Sequence, residues 1–181
     1  LEKLWNARRA EGQVSTLTEE ALRDAGITPP ARVTTLTTEN ISESYSHSLG
    51  DILDRVRLST VGRACATDSG ESLLVAGYVD PRFRNGARYR NTWQSISKAT
   101  DGSELLGEPQ PYAGAAYVVK VAPLRAYEDL LFVEAHVVFV EPEGWFQGAN
   151  LLRSKLPPVI QVSVRAFRRD LMKLAQTSGD S

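Results

Sequence analysis

Three neighbouring segments decide the fold: residues 131–140 read LFVEAHVVFV, residues 143–150 read EGWFQGAN, and residues 159–167 read VIQVSVRAF. The first and third segments are rich in β-branched residues, which favour strands over helices. The middle segment places a Trp-Phe pair between glycines, which is typical of a loop. This part of the chain therefore predicts two strands that flank an aromatic loop.

Further strand candidates precede this stretch. Thr60–Thr67 and Ser72–Val79 flank the turn formed by residues 68–71, and Ala113–Val121 follows later. Strands that follow one another without alternating helices argue against a parallel sheet. We predict a mainly β fold, with an antiparallel sandwich or a jelly-roll-like domain. An α+β arrangement with an antiparallel sheet is the alternative.

The first 57 residues have a different pattern. Thr16-Leu17-Thr18-Glu19 has the form of a capping box and predicts a helix over residues 17–25. A Thr- and Ser-rich stretch over residues 33–48 indicates a linker, and the spacing of Leu49, Ile52, Leu53 and Val56 predicts another helix. The predicted organisation is a helical arm and linker over 1–57, a β domain over 58–175 whose last part is a short helix over 168–175, and a flexible tail over 176–181.

The composition is that of a globular protein. The hydrophobic fraction is 42% and the charged fraction is 24%, both near the average. The single cysteine, Cys65, excludes an intramolecular disulfide and is interpreted as a buried thiol. The longest apolar run is about half the length that a membrane helix needs, so we predict no transmembrane segment. The chain begins at Leu1 without a leader pattern, which indicates a removed leader or an internal start, and its localisation stays open.

Charge is distributed unevenly although the net charge is only −1. Residues 82–98 carry five basic side chains and no acid, whereas residues 101–143 carry eight acids against two bases. Residues 151–175 are basic again. This segregation predicts a basic surface for phosphates or for an acidic partner, or else complementary segments that pair within the fold or between subunits.

Two groups of residues are candidates for binding. The first combines basic and aromatic side chains, a pattern that is typical of proteins that stack bases and contact phosphates. Its members are Arg82, Arg84, Arg88, Arg90, Tyr89 and Trp93. The second group is predicted to contact protein partners and contains Trp145, Phe146, Arg165, Arg168 and Arg169. Within it, we expect Phe146 to plug the sheet and Trp145 to stand out as a contact anchor.

Catalytic patterns are missing from the sequence. The two histidines lie apart, His47 in the predicted linker and His136 on a predicted strand, and no metal-ligand spacing or Gly-rich phosphate loop occurs. We therefore predict a protein that is not an enzyme and that uses neither a cofactor nor a metal. A small enzyme that uses His136, with Asp129 or Glu134 as its partner, is an alternative.

Three segments carry a resemblance to a known family. Residues 74–82 read LVAGYVDPR, residues 118–123 read VVKVAP, and residues 156–164 read LPPVIQVSV. Residues 60–164 thereby resemble the core of plant-virus cell-to-cell movement proteins of the tobamovirus-type superfamily, and Asp80 resembles the characteristic aspartate of that family. The resemblance implies a capsid-related jelly roll, self-assembly, binding of single-stranded RNA without sequence preference, and a place in the host-cell cytoplasm or the virion.

A second resemblance points to an assembly role. The segment at residues 156–164 begins eleven residues after Trp145, a spacing similar to that in the globular heads of type II secretion pseudopilins. Both resemblances imply a structural protein. We therefore expect a homo-oligomer, with single-stranded RNA as the partner under the movement- or capsid-protein interpretation.

Overall fold

The computed structural model describes residues 14–28, 40–85, 88–124 and 130–146, and in the C-terminal region residues 154–155, 157–158, 160–162, 164–169 and 172. Nine described strands form one open antiparallel sheet, which confirms the mainly β class. They lie in a single sheet and not in the two facing sheets of a sandwich or a jelly roll. The strands are β1 (Val14–Thr16), β2 (Asn40–Ile52), β3 (Val56–Asp68), β4 (Leu73–Val79), β5 (Thr92–Lys98), β6 (Glu104–Leu106), β7 (Gln110–Pro111), β8 (Ala115–Pro123) and β9 (Leu131–Phe139).

The sheet branches at β3. The main path runs β1-β2-β3-β4-β8-β9, so β1 and β9 are its two ends. Residues 62–68 of β3 pair with β4, whereas residues 56–59 pair with β5. β6 and β7 then pair with β5. One long strand thus organises two parts of the sheet.

The predicted linker and the helix after it are wrong over residues 40–56. This region forms β2 and the turn into β3, in an unbroken register from Asn40↔Asp68 to Ile52↔Val56. Leu53 and Asp54 adopt a left-handed backbone with φ of 53°, which lets the chain reverse. The ladder to β3 outweighs the helical spacing of the apolar residues, and hydroxyls suit a strand because they can pair across it. Ser48 Oγ, for example, lies 2.9 Å from Thr60 Oγ1.

The predicted helix near residue 20 is confirmed as α1 (Glu19–Asp24). Thr18 begins it, since its hydroxyl accepts a hydrogen bond of 3.2 Å from the amide of Ala21. Gly26, with φ of +73°, ends it. α1 packs on the sheet through one cluster of buried side chains, which we call the α1 core: Leu17, Ala21, Leu22, Ile27, Tyr45, Val61 and Phe83.

The predicted last strand is also wrong. All described residues between 160 and 167 are helical, and so are Arg168, Arg169 and Met172, which belong to the predicted tail helix. β-branched residues cost a helix only tenths of a kcal/mol each, about 0.5, so a run of valines is a weak barrier. The arm at residues 1–11, the linker at 33–39 and the tail at 176–181 lie outside the described residues.

The chain divides into two compact units, and the boundary between them does not lie at residue 57. One unit is Gly12–Pro142, which contains the whole sheet and α1, and the other includes Glu143–Ser181. β1 and β2, which fall within the predicted arm and linker, belong to the sheet. Within the described parts of the chain, we find no helix with the length and apolar character that crossing a membrane requires.

Candidate nucleic-acid interface

The predicted basic cluster lies on an excursion between β4 and β5, residues 80–91, which we call the arginine loop. It contains a 3-10 turn, Pro81–Asn85, and all but residues 86 and 87 are described. Asn91 closes the loop at its base. Its side-chain Nδ2 donates to the carbonyl of Asp80 at 2.7 Å, and its backbone amide donates to the carbonyl of Phe83 at 2.9 Å. The two ends of the loop are therefore held together.

Asn91 also completes the branch point of the sheet. Val61 lies on β3 between the residues that pair with β5 and those that pair with β4. Its amide donates to Asn91 Oδ1 at 2.8 Å, and its carbonyl accepts from the Asp80 amide at 2.8 Å. Asn91 is only 1% exposed. A buried amide without a partner would cost about 1–3 kcal/mol, so this side chain replaces a missing strand at the branch.

Phe83 and Tyr89 attach the loop to the α1 core. Phe83 is fully buried there, and Tyr89, which is half-buried, packs against the same cluster. The ring centroids of Tyr89 and His47 are 5.4 Å apart. His47 Nε2 lies 2.9 Å from Ser59 Oγ, and burial lowers the pKa of His47. Burial thus favours the neutral form of the His47 ring, which packs beside Tyr89.

Arg82 is committed to the base of the loop. Its guanidinium donates to both carboxylate oxygens of Asp80, with Nη2 2.6 Å from Oδ2, and to the hydroxyl of Tyr45 at 2.8 Å. Burial alone would raise the pKa of Asp80, but the hydrogen bonds from the Arg82 side chain and amide outweigh it and lower that pKa. The pKa of Arg82 is raised, chiefly by its hydrogen bond to Asp80. This ion pair stabilises the loop, and its charges compensate each other.

The other predicted arginines of the loop are exposed. They are Arg84, Arg88 and Arg90. Arg90 Nε donates to the carbonyl of Arg84 at 3.2 Å, and the Arg88 guanidinium lies 5.5 Å from the centre of the Tyr89 ring. Arg88 also approaches Asp24 at 3.8 Å, a contact between exposed side chains that contributes little. Three guanidinium groups thus project from one closed loop.

The structure separates the two aromatic candidates. Tyr89 lies within the loop beside the arginines, whereas Trp93 lies on β5 beyond the closing Asn91, where it pairs with Leu58 and Gln110. Both side chains are half-buried. Tyr89 therefore belongs to the arginine loop, with Arg88 over its ring, and Trp93 belongs to the sheet.

In the second predicted group, which was expected to contact protein partners, the aromatic residues are buried and the arginines are exposed. Phe146 is buried, as expected, but Trp145 is only 3% exposed, so the prediction of an exposed anchor is wrong. The two rings pack edge to face, with centroids 6.0 Å apart. The three C-terminal arginines are exposed on a helix, and a spacing of three and four residues places them on one face: Arg165, Arg168 and Arg169.

The alternative catalytic pair is on an open surface. His136 Nε2 lies 2.8 Å from Glu134 Oε1 on β9, with side chains 69% and 48% exposed. A surface pocket lies elsewhere and is lined by Ser69, Glu71, Ser72, Lys120, Ala122 and Pro123. Asp129 lies outside the described residues. Among those described, no group of three His, Cys, Asp or Glu side chains could hold a metal ion.

Sequence reasoning missed Asn91 and Tyr45, and it singled out Asp80 only through the family resemblance. One local signal in the sequence indicates a structural role for Asp80. In Asp80-Pro81-Arg82, the Arg82 amide donates to Asp80 Oδ1 at 3.0 Å, which is the turn that Asp favours before a proline. The side-chain partners of Asn91 are Val61 on β3 and Asp80 at the other end of the loop, and they leave no local pattern. Comparisons with protein-family models, with curated proteins and with solved structures find no match for this chain.

Proposed function

We propose that the protein is a non-enzymatic binding protein that holds single-stranded nucleic acid on the arginine loop. The observation that carries this proposal is the combination of three exposed arginines with a closed, internally satisfied base. A loop whose base is already closed by hydrogen bonds loses less conformational freedom when it binds, so its charges are available at a lower entropic cost.

The side chains favour phosphate contact over base reading. Exposed guanidinium groups bind phosphate oxygens through paired hydrogen bonds. Tyr89, half-buried beside Arg88, adds an aromatic ring to this set, and aromatic contact tolerates any base. Because every nucleotide carries the phosphate that these arginines are proposed to contact, the proposed binding is independent of sequence. RNA is the partner that the movement-protein resemblance favours.

The charge balance predicts a moderate affinity for each subunit. Because Asp80 compensates Arg82, three arginines remain for phosphates. Each phosphate contact on a single strand contributes about −0.7 to the slope of log K against log salt, so we expect a slope near −2. Such binding is strengthened when several loops act on one strand, which suits the structural, movement- or capsid-like role in a homo-oligomer.

Two other functions have less support. An enzyme that uses His136 would place its catalytic pair in a recess, whereas His136 and Glu134 are exposed on β9 and do not line the described pocket. A pure assembly subunit, as in the pseudopilin resemblance, needs no exposed arginine loop. It is favoured instead by β9, whose apolar side chains are exposed.

The test is binding of a fluorescent oligonucleotide of about 20 nucleotides, followed by anisotropy from about 20 to about 200 mM salt. The variant changes Arg84, Arg88 and Arg90 to Ala. The matched control changes Arg55, Lys98 and Lys120 to Ala, which removes the same charge from exposed positions outside the loop. We expect the loop variant to lose at least about tenfold in affinity and the control less than about threefold.

Two results would contradict the proposal. One is a wild-type protein that does not bind the strand at the lowest salt concentration. The other is an equal loss in both variants, which would show a diffuse attraction instead of a site at the loop.

A further inference from the structure

β9 ends the sheet in the part of the chain that the structure describes, where it pairs only with β8. Its apolar side chains are exposed on both faces of the sheet, for example Phe132 at 48%, Val137 at 65% and Val138 at 70%. Proteins usually protect such an edge with charges, prolines or a covering element, because its free backbone groups can pair with another strand. The other end of the path, β1, has only three residues.

The hydrogen-bond pattern shows which backbone groups β9 presents. Leu124 donates to the carbonyl of Leu130 at 2.8 Å and Val140 donates to the carbonyl of Gly114 at 2.9 Å, both in line with the β8–β9 register. In an antiparallel ladder these bonding positions alternate. Even-numbered residues therefore point their backbone groups at β8. Odd-numbered residues point theirs at the open edge: Leu131, Val133, Ala135, Val137 and Phe139.

We propose that β9 pairs antiparallel with β9 of a second copy of the chain, about a two-fold axis at Ala135, so that the sheet continues across a dimer. Pairing across the open edge requires odd residues opposite odd residues, and an axis at Ala135 meets that requirement. Ala135 then lies opposite the partner's Ala135, and Val133 lies opposite the partner's Val137. This interface does not depend on nucleic-acid binding.

Charge complementarity selects this register over its neighbours. An axis at Ala135 places Glu134 opposite the partner's His136, and the reverse, at positions where cross-strand side chains are closest. An axis at Glu134 would place two carboxylates opposite each other, and an axis at His136 would do the same with two imidazoles. Like groups directly opposite are destabilising, whereas an acid opposite a base is favourable. The existing 2.8 Å contact between Glu134 and His136 joins the same network.

At all the remaining positions of β9, the same register places apolar side chains opposite each other. Leu131 lies opposite the partner's Phe139, and Phe132 lies opposite the partner's Val138. Aromatic and β-branched pairs of this kind are among the favourable cross-strand contacts. A second copy is therefore the occupant that matches both the charges and the apolar residues of β9.

The first test is the mass of the full chain by sedimentation, with Val137→Lys as the variant. A lysine there places a charge opposite the partner's Val133 while it stays exposed in a single copy. Val118→Lys on β8 is the matched control, because Val118 is also exposed but lies one strand inside the edge. We expect dimers for the wild type and the control, and at least about tenfold weaker association for Val137→Lys.

The second test fixes the register by cross-linking in a Cys65→Ala background. One copy carries Phe132→Cys and the other carries Val138→Cys. An equimolar mixture exposed to a mild oxidant, oxidised glutathione, should form a disulfide-linked dimer, because opposite residues lie within the roughly 7 Å that a disulfide can span. Each variant alone should not, since its two copies place the cysteines about six residues, or about 20 Å, apart along the strands. A monomeric wild type, or a mixture that cross-links no better than the single variants, would overturn the proposal.

Discussion

The arginine loop connects two strands of the sheet that β9 ends, and the two regions are built in opposite ways. In the loop, polar groups are buried: Asp80 and Asn91 are each 1% exposed, and their hydrogen bonds are made within the chain. In β9, apolar groups are exposed, and the backbone of its odd residues faces the open edge. Buried polar groups and exposed apolar patches are the two departures from ordinary burial that carry most information.

The difference teaches where each region finds its partners. The loop is complete by itself, so its arginines can be offered to a ligand without rearrangement. β9 is incomplete by itself. Its apolar side chains are exposed, and the backbone groups of its odd-numbered residues face an edge at which no described strand pairs. Substitutions in the loop base should therefore act on folding, and substitutions in β9 should act on association.

The largest expected difference in unfolding free energy is between two Phe→Ala substitutions, one in the arginine loop and one in β9. Phe83→Ala should lower the free energy of unfolding by about 3–5 kcal/mol, because Phe83 is buried in the α1 core and its loss leaves a cavity. Phe132→Ala should change it by less than about 1 kcal/mol, because Phe132 is half exposed. Urea unfolding in a Val137→Lys background, where association is suppressed, measures both. Similar losses at the two positions would remove the contrast.

A smaller effect is expected from the amide that closes the loop. Asn91→Ala leaves the Val61 amide and the Asp80 carbonyl without the bonds that Asn91 supplies, at a cost of about 2–4 kcal/mol. Gln94→Ala is the matched control. Gln94 is half-buried and makes one described side-chain bond, to the carbonyl of Gly107, so its loss should cost about 1 kcal/mol. Thermal melts monitored by circular dichroism compare the two, and equal shifts would argue against a closing role for Asn91.

The smallest effect concerns pH. The pKa of Asp80 is lowered in the folded protein relative to its ordinary value of about 3.9. Folding therefore favours the ionised carboxylate, so the stabilisation is present above about pH 4 and is lost as the pH falls through the folded-state value. The difference in unfolding free energy between the wild type and Asp80→Asn should shrink from pH 6 to pH 3. Urea titrations across this range measure it, and a constant difference would contradict the assignment.

Subtracting the variant isolates the ion-pair network of Asp80, Arg82 and Glu43, since Arg82 also helps to lower the pKa of Glu43. The pKa values of Asp51 and Asp101 are lowered by partners outside this network, so these two groups contribute to the same acid range in both proteins. Because that contribution is common, it cancels in the difference. The comparison thus reports the ion pair at the base of the arginine loop.

The sequence by itself determined the elements that carry their own signal. The capping pattern predicted α1, although the residue that caps the helix is Thr18 and not the Thr16 of the predicted box, and alternating or β-branched runs predicted β3, β4, β8 and β9 to within a few residues. These signals are local. Capping bonds join residues three apart, and a run of β-branched side chains favours a strand wherever its partners lie. The antiparallel class followed because no helices alternate with the strands.

The tertiary structure decided the elements whose stability comes from distant residues. The Ser- and Thr-rich residues of β2 form a strand because β3 supplies a complete ladder, and Val159 to Phe167 carries a strand-like run whose described residues are helical. Trp145 is buried although its sequence context is that of an exposed loop. Asp80 and Asn91 form the base of the arginine loop only because β3 changes partners at Val61. Propensity differences of a few tenths of a kcal/mol per residue, about 0.5, are smaller than the free energy of such long-range pairing and burial, so tertiary contacts override them.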